Sequence, residues 1–310
     1  MDFKQLRAFL TVVDTGNVTR AAALLNIVQP AVSRQIRLLE EDLGTILFDR
    51  GRQGMQLTET GKTLLEYARR VLNEIDRARA EIRPAHGTVG GIVTVGLLPS
   101  TCDLLSSALI TSVSTCYPGI RVRISMGYAG HLQKWLEAGE IDVALLYDPK
   151  KSPTIQVKPL LEEGLWVVGL PNSGLRRDKP VTMAELATKP LVLPSAPHGL
   201  RSLVENAAKL MGLELTILAE TNAMNVQKSL VLGGHGFTIL PSIAIVDDIS
   251  RGILVGAPLT EPKLVRKIVL AMPTNRNTTP SVRCVVASLI QEMGDAVRRG
   301  DWLEARWVAD

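Results

Sequence analysis

What this 310-residue chain lacks narrows its function early. Its three cysteines, Cys102, Cys116 and Cys284, stand far apart, with no C-x-x-C pair and no histidine spacing of a zinc site. They read as reduced thiols. A redox pair of Cys102 and Cys116 is the alternative, although both fall in one predicted helical stretch with several turns between them. There is no run of 18 apolar residues and no basic leader followed by an apolar core, so a cytoplasmic protein without a membrane partner is expected. The sequon Asn277-Thr278-Thr279 carries no meaning without secretion. G-x-S-x-G, H-E-x-x-H, a Walker loop and a dinucleotide fingerprint are absent, and four histidines without matching spacing supply no catalytic set. Gly233-Gly234-His235-Gly236 lacks the Lys-Ser/Thr of a nucleotide loop and reads as a tight turn at the edge of a cleft. No enzyme, no metal and no cofactor is expected.

Hydrophobic residues make up 46% of the chain, enough for sizeable cores, and the length implies two or three units. A net charge of +4 suits a small DNA-binding head on a roughly neutral body better than a uniformly basic coat. Such a head is visible in residues 17–43, NVTRAAALLNIVQPAVSRQIRLLEEDL, which read as two short helices joined by a turn. Leu6, Phe9, Leu10 and Val13 give a preceding scaffold helix. Asn17 is a good N-cap, and Ala21, Ala22, Leu24 and Leu25 recur at helical spacing for burial. Pro30 sits in the first turn of the next helix, where proline is tolerated. Ala31, Val32, Ile36, Leu39 and Leu43 form its apolar stripe, leaving Gln29, Ser33, Arg34 and Arg37 on the other side. Gln, Arg and Ser are residue types that pair with base edges or phosphates, although a solvated surface helix carries a similar face.

Beyond Gly44, Leu47 and Phe48 return to the core, and Arg50-Gly51-Arg52-Gln53-Gly54 makes a positively charged turn suited to phosphates or the minor groove. Leu64, Ala68, Val71, Ile75, Ala78 and Ile82 then recur at alternating spacings of four and three with charged flanks, a heptad seam that calls for a partner helix. Pro84 and Gly87 to Gly91 supply a hinge. From residue 92 onward strands and helices alternate: strands at 92–98, 121–126, 143–147, 165–170, 191–193, 215–220 and 237–240, with helices at 104–113, 131–138 and 200–211. A capping box at Thr182 to Glu185 adds a short helix. This pattern predicts a mostly parallel sheet in two α/β lobes, with 265–271 crossing back and a final helix over 282–297.

The run AAALLNIVQPAVSRQIRLLEEDLG followed by LFDRGRQGMQLTETG resembles the amino-terminal signature of the LysR-type transcriptional regulators. It joins the helix-turn-helix, Leu-Phe-x-Arg, a basic two-stranded wing and Leu-Thr-x-x-Gly in that family's order. One position departs from the pattern: Val28 stands where many relatives carry Ser or Thr as the cap of the recognition helix. The rest of the chain is similar to the family's effector domain, whose two lobes resemble periplasmic solute-binding proteins. The resemblance implies an α/β protein with an N-terminal winged helix-turn-helix (1–58), a long linker helix and hinge (59–88) and a two-lobed effector domain (89–310). Lobe I is expected at about 89–162 and 269–303, and lobe II at about 163–268.

The implied partners are double-stranded promoter DNA, a small-molecule effector, RNA polymerase and further copies of the chain, dimerised through the linker helix and joined as a tetramer. Gln29, Pro30, Ser33, Arg34, Arg37, Arg50 and Arg52 are the expected DNA contacts. For the effector, strand ends and helix starts single out Ser100, Thr101, Tyr128, His131, His198 and Arg201. Arg201 is placed to clamp a carboxylate, which makes a small organic acid the expected effector. Plainer readings exist for each: caps, turns and a surface ion pair. The competing class is a solute-binding protein of a transporter, which explains two lobes but leaves the head without a purpose.

Overall fold

Asp2 opens the first helix, α1 (Phe3–Thr15), in a capping box with Gln5, and Gly16 closes it in the left-handed region at φ 62°. Asn17 accepts hydrogen bonds from the amides of Thr19 and Arg20 and so starts α2 (Val18–Leu25). After a turn with Asn26 at φ 54°, α3 (Gln29–Leu43) begins without a side-chain cap at Val28 and ends at Gly44, φ 65°. Two strands, β1 (Phe48–Gly51) and β2 (Gly54–Leu57), pair antiparallel as a wing, and α4 (Glu59–Ile82) follows. The computed structural model describes residues 1–51, 54–82 and 89–309. Arg52, expected in the wing, and Pro84 and Gly87, expected in a hinge, lie outside the described residues, as do the side chains of Arg50 and Ile82.

Phe9, Val12, Ala21, Val32 and Leu39 are fully buried in the core of the head. Ala21 and Ala22 keep α2 thin on its inner side, which lets it approach its neighbours closely. Leu24, expected in this core, instead projects outward at 68% exposure, because the inner face of so short a helix is already filled by the two alanines. The Leu-Thr-x-x-Gly segment has a steric cause. Thr58 Oγ1 accepts from the Gly61 amide at 2.9 Å and donates to the Ile46 carbonyl at 2.8 Å. A Cβ on Gly61 would stand 2.2 Å from the Leu47 carbonyl oxygen, so only glycine lets α4 start this close to the chain entering the wing. Along α4 the predicted seam divides. Ala68 is buried in the head's own core, whereas Val71 (39%) and Tyr67 (56%) are exposed.

The second compact unit holds nearly all of the remaining chain. Its first elements are β3 (Gly90–Leu97), α5 (Pro99–Cys116), β4 (Gly119–Met126), α6 (Ala129–Ala138), β5 (Val143–Tyr147) and the long β6 (Ile155–Gly169). There follow β7 (Val181–Thr182), α7 (Met183–Ala187), β8 (Leu191–Pro194), α8 (Gly199–Leu210), β9 (Ile217–Thr221), α9 (Met224–Leu232) and β10 (Phe237–Pro241). A 3-10 turn at Ser242–Ile245 leads into α10 (Val246–Ser250), β11 (Val255–Thr260), β12 (Val265–Pro273), α11 (Pro280–Arg299) and β13 (Arg306–Trp307). The strands run in the order β4-β3-β5-β12-β6-β10-β8-β9. Lobe I is built on β3, β4, β5, β12 and the first half of β6, with α5 and α11 packed on its core. Lobe II is built on the second half of β6 with β8 to β11.

The sheet is mixed where a mostly parallel one is expected: β3 with β4 and β5, and β8 with β9 and β10, are parallel, whereas β6 and β12 pair antiparallel with every neighbour. The reason is β6 itself. Its first half, IQVKPLLEEG, is charged and contains Pro159, so it does not read as a strand. Ten residues, 155–164, nevertheless lie along β12, with a register shift that leaves Leu160 without a partner. The second half alternates cleanly: Leu165 and Val167 enter one side of lobe II, Trp166 and Val168 the other. The chain changes lobe between Gly164 and Leu165 and again between β11 and β12, a few residues from the expected 162/163 and 268/269. α9 and β11 carry no strong sequence signal and were not expected.

The missing cap at Val28 gives a first prediction. Val28→Ser supplies a side-chain acceptor for the Ala31 amide, which now has only the Val28 carbonyl, and is expected to stabilise the head by about 1 kcal/mol. Slower hydrogen exchange at the Ala31 and Val32 amides is the readout, and unchanged exchange there counts against an uncapped helix.

Candidate DNA-reading surface and inter-lobe cavity

Burial of Val32, Ile36 and Leu39 fixes the rotation of α3. Gln29, Pro30, Arg34 and Arg37 are then exposed and Ser33 half-buried on the opposite side, as the apolar stripe predicts. Gln29 Nε2 donates to Ser33 Oγ at 2.9 Å, and Arg37 Nε lies 3.4 Å from Glu41. Both contacts are solvent-exposed and so worth at most about 1 kcal/mol, which leaves the side chains free to exchange them for a ligand. Glu40 Oε1 accepts from the amides of Leu47 (2.8 Å) and Phe48 (3.4 Å), tying α3 to the start of the wing.

Where the lobes meet, a cavity of about 30 Å³ is lined by Ser100, Tyr128, Tyr147, His198, Gln227 and Arg266 among leucines, prolines and a methionine. That space holds one or two waters, so anything larger must move side chains or part the lobes. Arg266 is 7% exposed and its Nη2 donates to Ser100 Oγ at 2.7 Å. Its Nε donates to Glu163, a fully buried carboxylate and its cross-strand partner. The guanidinium lies 4.9 Å from the centre of the Tyr147 ring, within cation–π range. A Cβ on Gly199 would stand 2.7 Å from that ring, so α8 has to start with glycine to seat it.

The Tyr147 hydroxyl lies 3.3 Å from His198 Nε2, and Tyr128 meets the imidazole edge-on at 4.8 Å. Burial raises the Tyr147 phenol. Burial, reinforced by the Arg266 charge, lowers His198 to about 4, so its ring is neutral at physiological pH. The cavity therefore offers one cation already matched by one anion, plus hydroxyl, amide and imidazole groups.

Comparison with known proteins decides what this arrangement serves. Residues 3–62 match the model of the bacterial regulatory helix-turn-helix protein, lysR family, and residues 86–294 match that of the LysR substrate binding domain. The chain belongs to the LysR family of transcriptional regulators. It is 30% identical to the HTH-type transcriptional regulator BbuR of Bordetella bronchiseptica, over 97% of this chain and 93% of the relative. It is 29% identical to the nitrogen assimilation regulatory protein nac of Klebsiella aerogenes, over 94% of each. Among solved structures, full-length CbnR complexed with its target DNA superposes with a TM-score of 0.71 at 25% identity, covering 94% of this chain and 100% of that one. The LysR-type chain is accordingly a DNA-binding regulator with an effector-binding domain, not an enzyme and not a transporter's solute receptor.

Of the six effector contacts expected in this regulator, Ser100, Tyr128 and His198 line the cavity. Thr101 is fully buried, and its hydroxyl donates to the Leu98 carbonyl at 3.0 Å as an internal cap. His131 is exposed and stacks on Trp135. Arg201 corrects the expectation most plainly. It does not line the cavity; its Nη1 donates to Glu220 at 3.0 Å and to the Pro194 carbonyl at 3.1 Å. Its Nε lies 2.7 Å from Glu205, out of line for a hydrogen bond. With two carboxylates around it, Arg201 has no reason to recruit a third. Arg266, Tyr147 and Gln227 were missed. The available signal was an arginine at an inward position of an apolar strand, with Lys267 facing outward beside it.

The three cysteines are free, and burial together with Asp103 pushes Cys102 up to about 11, which disfavours its thiolate. Among the described residues no helix is long and apolar enough to cross a membrane.

His198 yields the second prediction. Because the unfolded chain takes up a proton near the ordinary histidine value of about 6.5 and the folded one does not, stability falls as pH drops from about 6.5 toward 4. NMR titration should give a His198 midpoint below pH 5, and His198→Gln should flatten the pH dependence of stability in that window. A midpoint near 6.5 would mean that the ring is solvated rather than enclosed.

Proposed function

We propose that this LysR-type regulator reads a promoter with Gln29, Pro30, Ser33, Arg34 and Arg37 of α3, supported by Arg50 and Arg52 of the wing. The support is the exposed polar side of a helix whose other side is locked in the head's core. Two copies pair through α4, for which the exposed Tyr67 and Val71 supply apolar surface, and two such dimers form a tetramer that acts on RNA polymerase in the cytoplasm. The head and linker divide near residues 58 and 88, as the sequence suggests.

The effector is a small organic acid held between the lobes. Arg266 is the observation that carries this reading: a buried guanidinium at the cavity wall, with Nε and Nη2 already oriented by Glu163 and Ser100. A planar guanidinium so fixed accepts a carboxylate in one geometry, while Tyr147, His198 and Gln227 supply neutral hydrogen-bonding partners. Since the free cavity is small, an acid that enters it selects a different spacing of the lobes, and that differential affinity is the signal.

Two predictions test this reading. Arg34→Ala is expected to cost about 1–3 kcal/mol at the cognate promoter and to relax sequence preference, whereas Arg52→Ala weakens all sequences alike and shallows the salt dependence. Competition binding against scrambled DNA at several salt concentrations separates the two effects, and wild-type preference in Arg34→Ala removes α3's assigned face. For the effector, Arg266→Met combined with Glu163→Gln removes both buried charges together and so avoids leaving either alone. Calorimetry with a panel of mono- and dicarboxylates should find binding to the wild type and none to the double variant, with promoter binding retained. Equal affinity in both proteins would sink the acid reading.

A further inference from the structure

After α11 the chain does not simply end on lobe I. Gly300 closes the helix at φ 78°, and Trp302 turns into the core of lobe I, 2% exposed. The next residue, Leu303, packs against the other lobe, on the cluster formed by Trp166, Leu240 and Ile245. Its carbonyl accepts a hydrogen bond from Ser242 Oγ, a fully buried hydroxyl of lobe II. Glu304, at φ 53°, accepts from Trp166 Nε1 at 3.3 Å. The chain then returns to lobe I. Arg306 and Trp307 pair with Glu162 and Leu161 of β6, and the amides of Val308 and Ala309 donate to the Leu160 carbonyl, which the register shift in β6 leaves available.

The same segment is wired to the cavity. Glu163 has two carboxylate oxygens and no contact with solvent. One accepts from Arg266 Nε and the other from Trp302 Nε1 at 2.7 Å, while Arg266 Nη2 reaches Ser100 Oγ in the cavity wall. A buried carboxylate needs both donors, because an oxygen without one forfeits its hydration with no return. Whatever shifts Arg266 is thereby felt at Trp302, one residue from the group seated on lobe II.

We propose that residues 301–307 form a latch that holds the two lobes in the arrangement found here, connected to the inter-lobe cavity through Glu163 and Arg266. Parting the lobes requires Leu303 to leave its apolar seat and the Ser242 and Glu304 bonds to break. A ligand that accepts hydrogen bonds from Arg266 competes with Glu163 for the guanidinium and so loosens the Trp302 anchor. That regulatory consequence rests on the reading of the cavity as the effector site; the latch itself does not.

The test uses the full-length regulator with no effector added, so its outcome is separate from whether the cavity binds an acid. Trp302→Phe keeps an apolar ring but removes the indole donor. Glu163→Gln combined with Arg266→Met keeps the volume and removes both buried charges together, so that neither is left alone. Val285→Ala, a cavity in the same lobe I core that leaves the relay intact, is the control. Hydrogen exchange of the Ala244 and Ile245 amides, on the lobe II cluster, and of the amides at 101–103 beside Ser100 is expected to speed up at least ten-fold in the first two variants. In Val285→Ala the Ala244 and Ile245 amides keep their wild-type rates, whereas Ile243, which shares the lobe I core with Val285, is not compared. Wild-type exchange at Ala244 and Ile245 in either relay variant overturns the latch, as does acceleration there in the control equal to that in Trp302→Phe.

Discussion

A buried carboxylate facing a buried guanidinium across two antiparallel strands is the constraint on which the effector-binding body depends. Glu163 on β6 and Arg266 on β12 are register partners, and β6 is the strand that continues from one lobe into the other. Neither charge is tolerable alone at that depth, and removing one partner costs about 3–5 kcal/mol. The pair thus pins the two strands where the lobes meet. It also orients Ser100 on one side and Trp302 on the other, while the Arg266 charge adds to the burial that keeps His198 neutral.

The two buried arginines of this body show why charge count, and not residue type, separates structure from recognition. Arg201 faces Glu205 and Glu220 and a carbonyl, an environment with surplus negative charge that repels an anion. Arg266 faces one carboxylate, one hydroxyl and an aromatic ring, so the group is neutral overall, and it lines the cavity. Both were equally plausible clamps on grounds of chemistry alone. Only the carboxylates brought in from β9 and from one turn along α8 remove the first.

In the head the controlling factor is steric. Alanines at 21 and 22, glycine at 61 and proline at 30 each sit where a larger or more flexible residue would push helices apart or unsettle a helix start. The outward direction of Gln29, Arg34 and Arg37 follows from the packing of Val32, Ile36 and Leu39, three residues that touch no DNA in the proposed scheme. A close-packed core of this kind holds a reading surface in one orientation.

How much of this was legible before folding depended on the range of the interaction involved. Caps, turns and helical periodicity act within a few residues, so the Asn17 cap, the bare Val28, the Gly44 stop, the Thr182–Glu185 capping box and the orientation of α3 could all be read from the chain. Ser100, Tyr128 and His198 were also reachable, because loops after strands point toward the cleft of an α/β lobe. The first half of β6 was hidden behind charges and a proline whose partners lie a hundred residues away on β12 and at the carboxyl terminus. Leu24, Ala68 and Arg201 were misjudged for the same cause, since a helical pattern says which residues share a side and not which neighbours are available to cover or neutralise it. Local chemistry set the elements and the family of fold; long-range pairing alone brought Arg266, Glu163 and Trp302 together, because a buried charge finds its partner in three dimensions and leaves no spacing in the sequence to mark it.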